Sequence, residues 1–243
     1  MLQRCISAEW LKLRHSHIWI ILMVLPVFSI LIGGANYCFN QSVLTNGWYS
    51  LWTQVSLFYG EFFLPVLIAI CCAYVCRLEH MNKNWNALMT APISPWCVFL
   101  SKLFIVGVLI LTVQIFFLTL YLCAGRLVGL PQQFPAETFG WIFRGWVASV
   151  TVSAVQLGLS IRIRSFAVPI GISICAVFIG LGMYVAKVGM LFPYSLLTIG
   201  MGVLSQESLT SIEKTLFYMM NIIFIVLVCV ISIRHLKKAD VIA

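Results

Sequence analysis

The stretch 77–102, RLEHMNKNWNALMTAPISPWCVFLSK, decides how this chain is read, because it is a polar interruption between two long apolar runs. On a helix, Met81, Trp85 and Leu88 fall at i, i+4 and i+7 and share one face, while Asn82, Lys83, Asn84 and Asn86 lie mostly elsewhere around it. Pro92 and Pro95 end any such helix before the next apolar run begins. A short helix of this kind between two spans can lie along a membrane surface and offer one face to a soluble partner. The plainer alternative is a connecting loop with an incidental tryptophan anchor. Spacing alone leaves both open.

Composition places the whole chain in a membrane. Of its 243 residues, 62% are hydrophobic and 9% charged, where soluble domains carry about a quarter charged. Six apolar segments are each long enough to cross a hydrocarbon core of about 30 Å. The fold class is therefore all-α and polytopic, with six transmembrane helices. The net charge of +8 invites a nucleic-acid reading, but the basic residues sit at span ends and not on one soluble face, which excludes it. The nine cysteines are scattered, mostly inside apolar runs, with no C-x-x-C pair. They read as small buried hydrophobes, neither a disulfide framework nor a zinc site. No small-x-small cleavage site follows the first apolar run, so the first span is expected to be retained.

In chain order, residues 1–17 form a basic flank whose Leu2, Ile6, Trp10 and Leu13 recur at helical spacing, as in a helix lying in the interface. Span 1 covers about 18–35, with Pro26 inside it. Residues 36–56 hold no Lys or Arg, and Trp48, Tyr49 and Trp52 there read as an interfacial belt. Span 2 covers about 57–76, with a kink predicted at Pro65. Spans 3, 4, 5 and 6 cover about 98–124, 141–161, 166–186 and 215–233. Residues 187–214 are apolar but broken by Pro193, Gly200 and Gly202.

Charge asymmetry orients these spans. One side collects 11 Lys and Arg and the other 4, namely Arg126, Arg144, Lys187 and Lys214. The richer side, which holds both termini, is expected to be cytoplasmic. A seventh crossing at 188–204 would put the basic C-terminus outside. That segment is therefore read as re-entrant or surface helices on the outer face, where protein or water must satisfy its broken backbone.

Several chemistries are excluded by what the sequence lacks. There is no Gly-Lys dipeptide, hence no P-loop, so ATP-driven transport would need the ATPase on another chain. All four histidines lie at cytoplasmic span edges, and neither a Ser–His nor an H-E-x-x-H arrangement occurs. No catalytic residue, metal ligand or cofactor is assigned to this chain. Cys72, Cys76 and His80 form an i, i+4, i+8 stripe that is read as packing before metal or persulfide chemistry. Glu61 lies roughly 6–8 Å into span 2 at 1.5 Å per residue. It is read either as an outward contact for a cationic substrate or as one half of a structural ion pair with Arg144. Gln114 and Gln156 are read as amides that join helices.

Taken together, these residues resemble a known family. The order is AEWLKLRHS at 8–16, a first span, Glu61 followed by FFLPVLIAI, E-H-x-x-x-x-W at 79–85, APIS at 91–94, Lys102, and LFPYSL at 191–196 before the last span. This resembles the ABC-2 type permeases of bacterial peptide-antibiotic resistance, most of all the lantibiotic-immunity and bacitracin-transport permeases. The resemblance covers nearly the whole chain. It implies a single ABC-2 transmembrane domain over 1–243, with an interfacial helix at 1–17, a cytoplasmic coupling region at 77–97 and an outer re-entrant segment at 187–214.

The resemblance further implies that Glu79, Met81, Trp85 and Leu88 belong to the region that meets an ATP-binding subunit, where ATP and Mg would be held. Glu61, Arg144, Pro193 and Tyr194 become the candidate substrate contacts. The implied partners are a dimer of ATP-binding subunits and a second permease, identical or different. The implied action is expulsion of cationic antimicrobial peptides from the plasma membrane of a bacterial cell.

Overall fold

Ser94 and Pro95 start the longest helix sharply. The Ser94 hydroxyl accepts from the Cys97 amide at 3.4 Å, and Pro95 occupies the first turn, where a missing N–H costs nothing. The computed structural model describes residues 1–14, 16–81, 85, 93–205 and 209–238. Among them the secondary structure is helical throughout. We label the helices α1 (Leu2–Leu13), α2 (Ile18–Phe39), α3 (Trp48–Ser56), α4 (Leu64–His80), α5 (Pro95–Leu127), α6 (Glu137–Arg162), α7 (Ala167–Val185), α8 (Pro193–Met201) and α9 (Ser211–Lys238).

Six helical stretches are long and apolar enough to span a membrane: 18–39, 48–80, 95–127, 137–162, 167–185 and 211–236. Spans 2 and 4 form the centre, with 67% of their most apolar stretch buried, against 22–28% for spans 1, 5 and 6. Helix α1 packs along α5. Trp85, Val98 and Leu236 form a small cluster.

Span 2 corrects the expectation from sequence. It begins at Trp48, nine residues before the expected start at Leu57, and joins α3 to α4 through a π-helical segment at Leu57–Phe63. Trp48 and Trp52 are not interfacial anchors. They are 5% and 0% exposed, and their indole N–H groups donate to the Pro131 and Met201 carbonyls at 3.0 and 2.9 Å. Trp52 stacks on Trp141 at 5.0 Å between ring centroids. The indoles are buried because their one polar atom finds a backbone acceptor inside the protein.

The π segment has a local cause. Pro65 has no N–H to give to the Glu61 carbonyl four residues back, so the ladder cannot run regularly through this turn. The Leu64 amide instead reaches the Tyr59 carbonyl, five residues back. The irregularity predicted at Pro65 is thus a π segment just before it.

Close helix approach depends on Gly33. A Cβ there would lie 2.6 Å from the Val55 Cα, and the nearby Ser29 hydroxyl donates to the Val55 carbonyl at 2.7 Å. Small residues and a side-chain hydrogen bond join spans 1 and 2, as membrane helices require when lipid is as apolar as the core.

The 187–214 segment does not cross the bundle. A short 3-10 turn at Gly189–Leu191 leads into α8, and Gly202, with φ 58°, ends it in the left-handed conformation. Tyr194, Ser195, Leu196, Leu197, Thr198 and Met201 of α8 are buried against the spans. Its broken backbone therefore sits in protein and not in lipid.

Candidate functional site

Where α1 meets the end of α4 and the start of α5, four charged side chains converge. Glu9 comes from α1, Lys12 from one turn later, Glu79 from the last turn of α4, and Lys102 from the second turn of α5. The Lys102 ammonium is fully buried. It donates to Glu9 Oε1 at 2.9 Å, Glu79 Oε1 at 2.8 Å and the Val75 carbonyl at 2.9 Å. Three donors meet three acceptors, which is full satisfaction for an ammonium. Lys12 bridges the same two carboxylate oxygens at 2.9 and 2.5 Å. Burial alone would lower the Lys12 pKa, but its bonds to Glu79 and Glu9 outweigh burial and hold it above its ordinary value.

The cluster is neutral as a whole, so it ties α1, α4 and α5 together without leaving a net charge in the protein. Only the second oxygens, Glu9 Oε2 and Glu79 Oε2, lack partners. The quartet was not legible as a unit in the sequence. Its signals were E-x-x-K in residues 9–12 and one acid and one base at the facing ends of spans 2 and 3.

His80 and Trp85 continue the site. His80 Nε2 donates to the Ser160 carbonyl at 2.7 Å, and the Trp85 indole N–H donates to His80 Nδ1 at 3.2 Å. These two bonds together require the neutral ring with its hydrogen on Nε2. The Trp85 ring rests on Val98 and Leu236, and the Arg77 guanidinium lies 5.8 Å over the Phe166 ring. Trp85 is thus held against α5 and α9, and through His80 it is linked to α6.

The structure distributes the expected coupling residues unequally. Met81 is exposed at 47%, whereas Glu79 and Trp85 are buried at 4% and 8%. Glu79 and Trp85 therefore offer no free surface: the carboxylate is held by two lysines, and the indole faces the bundle. Leu88 lies outside the described residues, as does most of the helix expected around it. His80 is occupied by its two hydrogen bonds, and among the described residues no group of His, Cys, Asp and Glu could hold a metal ion. The Cys72 thiol donates to the Ser153 carbonyl at 3.5 Å, in keeping with packing.

At the opposite end of the bundle, a cavity of about 430 Å³ opens between α6, α7, α8 and the start of α9. Its walls include Trp141, Arg144, Tyr184, Lys187, Thr198 and Glu213. Here too the expected contacts are rearranged. Glu61 and Arg144 form no ion pair among the described residues, because the Glu61 carboxylate accepts instead from the Thr198 hydroxyl at 2.6 Å. At 3% exposure, Glu61 faces the protein and not a passing cation.

Tyr194 is likewise buried, and its hydroxyl donates to Gln156 Oε1 at 3.2 Å. Pro193 begins α8, where its fixed φ suits a first helical turn. Of the four candidate contacts, only Arg144 lines the cavity. Gln156 does join helices, since its amide also donates to the Pro169 carbonyl at 2.5 Å. Gln114, read the same way, has no partner for either amide atom among the described residues.

The structure combines six candidate spans, an N-terminal helix packed on span 3 and a short buried helix between spans 5 and 6. The sequence model of the ABC-2 family transporter protein matches residues 5–181. The chain belongs to the ABC-2 transporter family. No curated protein matches it in sequence. The permease is thus the membrane component of an ABC transporter, and family membership implies an ATP-binding subunit as its partner. The matched region contains the charge quartet, the Trp85 anchor and Arg144, and it stops short of α8.

Proposed function

We propose that this permease is the transmembrane half of an ATP-driven exporter that removes cationic antimicrobial peptides from the plasma membrane of a bacterium, with both termini cytoplasmic. It works beside a second permease and on a dimer of ATP-binding subunits that hold ATP and Mg. The observation that supports coupling is the buried quartet Glu9, Lys12, Glu79 and Lys102. Glu79 lies in the last turn of α4, so a push delivered at that end of span 2 is carried through the quartet into α1 and span 3 and not absorbed locally. In this reading Glu79 and Trp85 act by positioning the coupling region, and the exposed Met81, with Leu88, meets the ATPase. The peptide cargo rests on the resemblance of the sequence motifs to lantibiotic-immunity permeases.

A specific observation favours the alternative of another cargo, a lipid, ion or small drug. Three acids that could attract a cationic peptide already accept hydrogen bonds: Glu61 from Thr198, Glu137 from Tyr49, and Glu213 from Thr210. The test has two stages. The tagged chain is purified from native membranes under mild detergent, and co-purification of an ATP-binding subunit is expected. Deletion of the gene is then expected to raise sensitivity to lantibiotic-like peptides. Association with an ATPase but unchanged peptide sensitivity would leave the exporter and transfer it to the second cargo. A chain that purifies alone under several detergents would overturn the exporter reading itself.

A further inference from the structure

The cavity between α6, α7, α8 and α9 is walled by cations that the fold does not use. Arg144 is 9% exposed, yet among the described residues its guanidinium joins no ion pair, and its Nε has no hydrogen-bond partner. A buried guanidinium without a counter-charge is costly, so its presence calls for a ligand or a role. The backbone makes room for it. A Cβ on Gly140 would come within 3.1 Å of Arg144 Nη1, and glycine leaves that space to the guanidinium.

Lys187 supplies a second cation from the turn after α7, where its φ of 60° makes it the sole non-glycine residue with positive φ among the described residues. Against these stands, among the described residues, one lining carboxylate, Glu213, which accepts from both the amide and the hydroxyl of Thr210 at 2.8 Å. Glu61 lies behind Thr198 and takes that hydroxyl's hydrogen. Among the described residues the wall thus carries two positive groups without an ion-pair partner and one carboxylate already hydrogen-bonded to Thr210.

We propose that this cavity is a binding site for an anionic oxygen group, a phosphate or carboxylate. Arg144 presents its planar fork to two ligand oxygens, and Lys187 closes on a third as a point charge. The cavity's volume of about 430 Å³ is ample for a phosphate-bearing headgroup. The site rests on this geometry and not on the peptide reading, since a cationic peptide would be repelled by the same two residues. An anionic ligand bound here would bridge spans 4 and 5, α8 and the start of span 6.

The experiment is titration calorimetry on the full chain in uncharged detergent, with protein-free micelles as the blank. The probes are dihexanoyl phosphatidic acid, its uncharged analogue dihexanoylglycerol, and inorganic phosphate. The phosphatidic acid is expected to bind at least about tenfold more tightly than dihexanoylglycerol, a typical contribution from charge-assisted hydrogen bonds. Arg144→Gln is expected to abolish that preference, and Lys187→Asn to reduce it. Comparable binding of inorganic phosphate assigns the site to soluble anions. Binding of phosphatidic acid without phosphate assigns it to lipid headgroups, and either result supports an anion site. Equal binding of the charged and uncharged lipids, or an undiminished preference in Arg144→Gln, overturns it. If Arg144→Gln does not yield folded protein, Lys187→Asn and Gly140→Ala take its place. An unchanged preference in both then refutes the site.

Discussion

Replacing Lys102 by methionine is the most direct test of the charge quartet. The ammonium is 0% exposed and holds Glu9, Glu79 and the Val75 carbonyl at 2.8–2.9 Å. Its loss leaves two buried carboxylates sharing only Lys12, whose side chain is 32% exposed. Both carboxylates already carry an unpartnered second oxygen, so the deficit has nowhere to go. Removing one partner of a buried ion pair typically costs about 3–5 kcal/mol. At about 2–4 °C per kcal/mol for a chain of this size, the apparent Tm should fall by roughly 6–20 °C. The assay is thermal unfolding of the purified chain in detergent, read by loss of monodisperse protein. The companion variant Glu9→Gln, Glu79→Gln, Lys102→Met removes all three buried charges, and by the same physics it should recover much of the loss. A Lys102→Met protein that melts within about 2 °C of the native one, or a triple variant no better than the single, would refute the reasoning.

Gly33→Ala drives a Cβ to 2.6 Å from the Val55 Cα, while at Gly34 nothing lies within 4 Å. The first should therefore cost about 1–3 kcal/mol or more through overpacking, and the second should be neutral or slightly stabilising; thermal unfolding of the pair checks this. Trp85→Phe keeps an aromatic ring against Val98 and Leu236 but removes the donor to His80. It should cost about 1 kcal/mol and lower ATP-dependent activity at unchanged membrane level; undiminished activity would exclude the anchored segment from coupling. The raised Lys12 pKa means its ion pairs contribute fully below the ordinary lysine value and are lost only as pH rises through the higher folded value. Stability curves should therefore show no Lys12-dependent change between about pH 6 and 9. Reporters fused after residues 130 and 163 should report opposite sides of the membrane, outside and inside respectively; the reverse would invert the orientation read from the charges.

What the sequence by itself determined was the architecture along the membrane normal. Hydropathy is a local property, and six apolar runs define six candidate spans. The helix at the N-terminus was legible from its spacing, whereas span 3 starts at Pro95, three residues before its expected start, because Ser94 caps it and Pro95 suits its first turn. Tertiary structure alone decided which polar and aromatic groups meet. Glu9 and Lys102 touch across 93 residues, Glu61 and Thr198 across 137, and Trp52 and Met201 across 149. Trp48 and Trp52 resembled a membrane belt because tryptophan suits both an interface and a buried site. Only the Pro131 and Met201 carbonyls, brought by distant elements, make burial the better choice. Arg144 and Glu61 lie on the same expected side of the membrane, which made an ion pair a natural guess. The nearer hydroxyl of Thr198 takes the carboxylate instead and leaves the guanidinium to the cavity. A charge inside a membrane protein must find a partner, but its identity depends on sub-ångström placement of elements far apart in the chain, which no local pattern encodes.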